Sequence, residues 1–411
     1  MNEQLLACRS CGATGLNTIL DLGRTALANA LLTPAQLAQP EPTYPLQLVF
    51  CPGCALVQIT ETVSPEQLFR DYVYLSSFSD TMLNHARVLV ERLIRERQLG
   101  GENLVIEVAS NDGYLLQYYK LAGVPVLGIE PATNIARVAE QERGIPTLNE
   151  FFNAALAERL KSRDQRADVI HANNVLAHVP DLNGFVSGLQ VVLKQNGLAV
   201  IEVPYVKDMI DRTEFDTIYH EHLCYFSLTA LTRLFENNGL VIKDAERLAI
   251  HGGTLRIFAA DKDTHRPSSV VQELLAEEAA AGIGSMEFYL GFRQKVEQLR
   301  HDLTALLSDL KANGKRIAVY GASAKGSTLL NYFRIGQDML DYVVDRSTTK
   351  QRLYTPGTHL LIHQPEQLLE TMPDYVLLLT WNFAEEILNQ QAEYRRRGGK
   401  FIIPVPEVRV V

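Results

Sequence analysis

Leu104-Val-Ile-Glu-Val-Ala-Ser-Asn-Asp-Gly113 is a short apolar run that ends in an acidic, glycine-closed loop, and residues 114–122 after it carry a helical pattern. A strand that turns through a glycine loop into a helix is the opening unit of a parallel sheet covered by helices on both faces. The pattern then repeats. Val126-Leu-Gly-Ile-Glu130, Asp168-Val-Ile-His171 and Gly197-Leu-Ala-Val-Ile-Glu-Val203 read as further strands separated by helical stretches, and 240–247 and 254–260 as closing strands. The chain therefore contains an open, doubly wound α/β unit. Such sheets bind ligands outside the carboxyl ends of their strands, where the strand order reverses.

Working outward, residues 268–312 are helical and rich in Ala, Glu and Leu, and link this unit to a second one. There Arg316-Ile-Ala-Val-Tyr320 runs into Gly321-Ala-Ser-Ala-Lys-Gly326 and a helix. Asp341-Tyr-Val-Val-Asp345, Tyr375-Val-Leu-Leu-Leu379 and Lys400-Phe-Ile-Ile-Pro404 supply more strands. Upstream, Val63-Ser-Pro-Glu-Gln-Leu68 opens a helix, with Ser64 as cap and Pro65 at its first position. The aromatic, hydroxyl-rich piece Tyr72-Val-Tyr-Leu-Ser-Ser-Phe-Ser79 follows, and 80–98 is an amphipathic helix.

The N-terminal segment carries four of the 5 cysteines, as the pairs Cys8/Cys11 and Cys51/Cys54. Two residues between cysteines aim both thiolates at one point, and two such knuckles complete a tetrahedral sulfur cage for zinc. The 39 intervening residues imply an inserted strand or loop. Disulfides are the rival, but no secretory h-region precedes the cysteines. A four-thiolate zinc is structural, stapling an otherwise coreless segment. The expected division is 1–68 for the zinc module, 69–265 for the central domain and 266–411 for the smaller C-terminal Rossmann-like domain.

At 411 residues the chain exceeds one ordinary core. Its 46% apolar and 21% charged residues are ordinary globular values. A net charge of −9 without a long basic block makes nucleic acid a poor partner. No apolar run of spanning length occurs, so no membrane association and a cytoplasmic location are expected.

Glu107 and Asp112 around the first loop suit a positively charged ligand better than a pyrophosphate. Gly113 permits close backbone approach, and Glu130 at the second strand end can take both hydroxyls of a ribose. Asn173, Asn174 and His178 follow the third strand. This order resembles the class I S-adenosylmethionine-dependent methyltransferases, with Glu107, Ala109, Asn111, Asp112, Gly113, Glu130 and Asn173 as cofactor-binding candidates. Tyr219-His-Glu-His222 is an acid–base cluster. On a strand or turn, His220 and His222 share a face that Glu221 does not. A histidine near neutral pKa is matched to abstracting a proton beside a carbonyl. Lys325 and the helix start behind Gly321 suit a phosphate.

The knuckles, Glu-Val-Ala-Ser-Asn-Asp-Gly113, Gly-Ile-Glu-Pro131, Tyr-His-Glu-His-Leu-Cys-Tyr-Phe-Ser227, His-Gly-Gly-Thr-Leu-Arg256 and Tyr-Gly-Ala-Ser-Ala-Lys-Gly326 occur in one order. Together, over essentially the whole chain, they resemble the nucleotide-linked deoxysugar C-3′-methyltransferases, which act on thymidine diphosphate 4-keto sugars. The resemblance implies S-adenosylmethionine as cofactor, structural zinc, and a C-terminal domain that helps hold the sugar nucleotide. It implies His222 as general base, supported by Glu221 and Tyr219, with Asn174 and His178 near the ketosugar. Tyr74 or Tyr72 would cover the sugar, and Ser77, Ser323, Lys325 and Arg346 would contact the substrate. A small-molecule substrate and a monomer or small homo-oligomer are expected. The rival readings are an RNA or protein methyltransferase gripping its substrate with the zinc module, a non-catalytic sensor of sugar nucleotide or S-adenosylmethionine, and an NAD-dependent oxidoreductase using Asp345.

Overall fold

The computed structural model describes residues 6–70 and 75–411. Tyr72 and Tyr74 lie outside the described residues.

Three sheets organise the chain. The first combines β1 (Asn17–Thr25), β2 (Tyr44–Phe50) and β3 (Val57–Ile59) with β9 (Cys224–Tyr225), in the order β1-β2-β3-β9. The inserted residues between the knuckles thus supply β1 and all of β2. The second sheet uses β4 (Val105–Val108), β5 (Val126–Ile129), β6 (Thr147–Leu148), β7 (Ala167–Asn173), β8 (Leu193–Pro204), β10 (Leu240–Leu248) and β11 (Thr254–Asp261). Its order is β10-β11-β8-β7-β4-β5-β6, with β10 and β11 antiparallel. The third holds β12 (Ile317–Tyr320), β13 (Val343–Val344), β14 (Ile362–His363), β15 (Tyr375–Leu378), β16 (Lys400–Ile403) and β17 (Arg409–Val410), in the order β14-β13-β12-β15-β16-β17.

Both parallel sheets have a switch point. In the second, the chain leaves β4 toward β5 on one side and returns to β7 on the other. In the third, β12 is flanked by β13 and β15. The central strands are apolar on both faces because helices cover both, and Val105–Val108 is buried at every position. The expected helical link is two helices, Ser269–Ala281 and Glu287–Ala312, broken at Gly282 in the left-handed region. Ser64 caps Pro65–Phe69 by accepting from the Gln67 amide at 3.3 Å, as its position predicts.

The N-terminal segment is not coreless. Leu20, Leu46, Leu48 and Phe50 are almost fully buried in the same apolar cluster as the central and C-terminal strands, and Phe50 meets Tyr289 of the linking helix at 5.0 Å. The alternating apolar residues of β1 and β2 face other parts of the chain, which a reading of the segment in isolation misses. Among the described residues no helix is long and apolar enough to cross a membrane.

Candidate active site and zinc centre

The two knuckles are built alike. The Cys8 carbonyl accepts from Gly12 and that of Cys51 from Ala55, while the Cys8 and Cys51 amides donate to Ala13 and Leu56, all at 2.9 Å. Gly12 and Ala55 close these turns at φ 72° and 63°. The four sulfurs lie within 4.8 Å of one another, with Cys8–Cys54 at 3.4 Å and Cys11–Cys51 at 3.5 Å. Four thiolates about 2.3 Å from one ion stand about 3.8 Å apart in a tetrahedron, so the cage fits zinc. All four positions are filled by protein, leaving none for water or substrate.

The second site lies at the switch point of the central sheet. After β4 the backbone reverses through Ala109, Asn111 and Gly113, at φ 51°, 49° and 78°. A side chain at Gly113 would meet Ile145 at 2.9 Å, so glycine is needed there for space as well as for φ. Non-glycine residues in this conformation cost about 1–2 kcal/mol each and need outside support. Glu130 supplies it: one carboxylate oxygen accepts from the Asn111 amide and the other from Ala132, both at 2.8 Å. Asn111 in turn accepts the Ser76 amide at 2.8 Å, drawing the segment of Ser77 alongside the loop.

Four buried carboxylates converge at this edge. Asp112 is bound to Arg143 at 3.1 Å, and Glu202 to Arg256 and His85 at 2.7 and 3.0 Å. Glu130 rests on the two amides. Glu107 has an oxygen with no partner, as does the amide oxygen of Asn173. Burial, reinforced by Asp112, Glu130 and Glu202, pushes the Glu107 carboxyl well above its usual range, and burial raises Glu130 to about 7. Glu107 and Glu130 have no cationic partner in the cluster. It suits a cationic ligand bearing hydroxyls; Asp112 gives one oxygen to Arg143, and its other is buried without a partner.

Across the crevice, loops after β7 and β8 assemble the acid–base cluster. Tyr219–His222 is a turn closed by the His222 amide on the Tyr219 carbonyl at 2.9 Å. Successive residues of a turn do not alternate as in a strand, so the shared face expected for His220 and His222 does not form. His220 donates from Nε2 to the Pro45 carbonyl at 3.0 Å, toward the zinc module. His222 turns the other way: its Nδ1–H donates to the Thr217 carbonyl at 2.9 Å, and the Tyr219 hydroxyl donates to Nε2 at 2.9 Å. The His178 ring stands 4.9 Å away. Burial holds both histidines below their ordinary pKa, His222 far below, with His178 and Lys325 adding to the effect on His222. Each is therefore neutral near pH 7.

Glu221 does not turn to His222. Its carboxylate accepts from Asn29 Nδ2 of the zinc module at 2.7 Å, and burial raises it to about 7. Its carbonyl accepts from His178 Nδ1 at 2.6 Å. A neutral imidazole has one N–H, so His178 has none left for a substrate oxygen. Asn174, at φ 57°, donates its amide to the Glu202 carbonyl at 2.8 Å at the same crevice.

In the third sheet, Ser323 caps the helix Ala324–Phe333 by accepting the Gly326 amide at 3.0 Å. Lys325 lies over the Trp381 ring at 4.5 Å without a hydrogen-bond partner at Nζ. Buried Glu214 and Asp216 feel its charge, and burial raises Glu214 to about 8. A lysine already opposed by two carboxylates is a weaker phosphate anchor than its sequence position implies. Arg346 is exposed and 3.7 Å from Glu386, away from the histidines' immediate partners. Asp345 accepts the Ala322 and Ser347 amides at 2.8 Å, so it braces the loops. Sequence reading missed Thr217, Glu214, Asp216, Asn29 and Trp381. Trp381 is the lone tryptophan, placed just after a strand, and that was the available signal.

A doubly wound sheet with a carboxylate-rich loop at its switch point, joined to a four-thiolate module, defines a zinc-binding, S-adenosylmethionine-dependent methyltransferase. Family models agree along the chain: a zinc binding domain over 8–69, a methyltransferase domain over 82–244 and a C-methyltransferase C-terminal domain over 249–406. The C-methyltransferase NovU of Streptomyces niveus is 36% identical over 405 residues, 98% of this chain and 96% of the relative. The chain belongs to this C-methyltransferase family. A ubiquinone biosynthesis O-methyltransferase of Methylobacterium is 24% identical over 50% of this chain and 87% of the relative. Among solved structures, magnesium protoporphyrin IX methyltransferase of Synechocystis with bound S-adenosylmethionine aligns with 44% of this chain and 79% of its own, at 14% identity and a TM-score of 0.34.

Proposed function

We propose that this enzyme methylates C-3′ of a nucleotide-linked 4-keto deoxysugar, probed best as the thymidine diphosphate form, through an enolate. The observation that carries the reading is the His222 imidazole, fixed as the Nδ1–H tautomer by Thr217 and met at Nε2 by Tyr219. Carbon becomes nucleophilic when a proton beside a ketone is removed, and the neutral Nε2 lone pair is the acceptor for that proton. As the C-3′–H bond breaks, its electron pair becomes the enolate, and the Tyr219 hydroxyl moves from Nε2 to the C-4′ oxygen. Tyr219 and the Asn174 side chain are the donors for the developing negative charge, since His178 has spent its N–H. His178 instead keeps the Glu221 turn in place. The imidazolium formed is disfavoured by burial, which makes His222 a weaker base than the near-neutral histidine expected from sequence and speeds loss of the proton it takes.

S-adenosylmethionine supplies an electrophilic methyl group on a sulfonium centre. Glu107, Glu130 and Asn173, with the loop of Ala109, Asn111 and Gly113, are the residues that would hold it, and Asp112 contributes by bracing the loop through Arg143. The start of the helix Ala324–Phe333, with Ser323 and Arg346, takes the diphosphate side of the substrate. The charge of Lys325 acts on buried Glu214 and Asp216. The domain limits 1–68, 69–265 and 266–411 divide these roles into metal staple, chemistry and nucleotide recognition, and the chain acts as a monomer or small homo-oligomer.

The test follows the C-3′ proton. With a thymidine diphosphate 4-keto sugar in deuterium oxide, His222→Asn should lose solvent exchange at C-3′ and methylation together, by about 10²–10⁴-fold. Both continuing at the normal rate would remove His222 as the base. A product heavier by one CH₂ identifies the accepted sugar.

A further inference from the structure

Phe215–Thr217 is a single 3-10 turn of the central domain, buried along its length. Its neighbours come from the C-terminal domain. Phe215 stacks on Phe333 at 4.8 Å and 21°. Asp216, fully buried, accepts from Trp381 Nε1 at 2.7 Å, and its other oxygen has no partner. The Ile218 carbonyl accepts from the Thr328 hydroxyl at 3.0 Å. Between these anchors the Thr217 carbonyl accepts His222 Nδ1–H and, at 3.2 Å, the Tyr225 hydroxyl. Trp381 follows β15 at the switch point of the third sheet. Beside it, Thr380 fills the space left by Gly321, where a side chain would come within 2.6 Å.

We infer that Asp216 and Trp381 are positioning residues for methyl transfer: their bond ties the crevice of the C-terminal domain to the carbonyl that fixes the tautomer of His222. The inference rests on the reading of His222 as the base. Apolar contact such as Phe215 on Phe333 resists separation but permits sliding. A hydrogen bond to a buried carboxylate is directional and stronger than a neutral one, so it sets the turn's rotation as well as its distance. That rotation decides where the Thr217 carbonyl points. If it turns away, the imidazole can carry its proton on Nε2, and this tautomer cannot accept from C-3′. Outer partners that orient a functional histidine in this way affect activity by about 10–100-fold when lost. Lys325, over the face of the indole whose edge holds Asp216, is carried by the helix of the nucleotide-side loop, so an occupant there and the base share one connection.

Three variants test this. Trp381→Phe keeps an aromatic ring under Lys325 and deletes the N–H. Asp216→Leu deletes the acceptor, and Asp216→Asn keeps one. Trp381→Phe and Asp216→Leu should lower kcat by about 10–100-fold without changing the Kd for S-adenosylhomocysteine, and Asp216→Asn should recover most of the loss. In parallel, ¹⁵N resonances of His222, assigned by their disappearance in His222→Asn, should leave the Nδ1–H pattern in Trp381→Phe. Normal kcat with an unchanged ¹⁵N pattern in Trp381→Phe would overturn the inference. If Asp216→Leu fails to fold, Trp381→Phe decides alone. Should His222→Asn retain normal turnover, the base reading falls, and the ¹⁵N pattern still reports whether the clasp orients the ring.

Discussion

Glu130→Gln separates a carboxylate that builds its loop from one that also binds ligand. In the native chain both oxygens accept backbone amides at 2.8 Å, from Asn111 and Ala132. A glutamine offers one carbonyl oxygen and one NH₂, so it can satisfy only one amide and presents a donor to the other. A buried donor left unpaired costs about 1–3 kcal/mol, and Asn111 sits at a positive φ that needs the support. For a domain of this size each kcal/mol moves Tm by about 2–4 °C, so a loss of about 2–12 °C is expected. The second effect is on the ligand. If the remaining lone pairs of Glu130 take the ribose hydroxyls, losing the charged acceptor should weaken binding by about 1.5–3 kcal/mol, or about 10–150-fold in Kd. Differential scanning calorimetry reads the first number and titration calorimetry with S-adenosylhomocysteine the second. A lowered Tm with an unchanged Kd would refute the ligand role and leave Glu130 as a brace. An unchanged Tm would refute the account of the loop.

Three further outcomes follow. Cys51→Ser should remove the bound zinc and lower thermal stability, because the cage closes the sheet that includes β9, while the Kd for S-adenosylhomocysteine stays the same; elemental analysis and calorimetry check this, and a metal-free protein of full stability would refute it. Glu130 and Glu221, raised from 4.5 to about 7, and Glu214, raised to about 8, favour the folded state most below pH 4.5, and this stabilisation is lost as pH rises through 7 to 8. The depressed histidines act in the opposite sense, but only below about pH 6.5. Tm of the ligand-free protein should therefore fall between pH 6.5 and 8, and the stabilisation given by S-adenosylmethionine should grow over the same interval; scanning fluorimetry showing a rise in ligand-free Tm would count against the carboxylate cluster. For turnover, a base held far below 6.5 stays deprotonated well into acid, so the acid limb it sets in kcat should lie below pH 6.5; a limb above that value that persists in both Glu130→Gln and Glu221→Gln would count against the depressed His222.

The sequence was most legible where chemistry is local. The cysteine knuckles, the Ser64 cap and the strand–loop–helix order each depend on residues a few positions apart, and their patterns carried over into the structure. Reading failed where a side chain's partner comes from a distant element. His220 and His222 differ in role because one donates to Pro45 and the other to Thr217, and no periodicity of the intervening residues encodes that choice. Lys325 carries a phosphate-type position in its own loop, yet its surroundings are set by Glu214 and Asp216, more than 100 residues earlier.

The same distance effect shows why the three units cannot be read as independent parts. Glu221 is held by Asn29 of the zinc module, and Asp216 by Trp381 of the C-terminal domain. The helix Ala324–Phe333 meets both sides, with Thr328 on the Ile218 carbonyl and Ser327 on the Ala28 carbonyl at 3.0 and 2.9 Å. The loop of residues 214–222 is therefore fixed from three directions while containing little regular structure of its own. A loop of this kind gains its geometry from tertiary bonds, each of which holds only when its partner is folded. The zinc cage, with no open coordination position, then matters to catalysis through position: it fixes β3, β3 pairs with β9, and β9 begins two residues after His222.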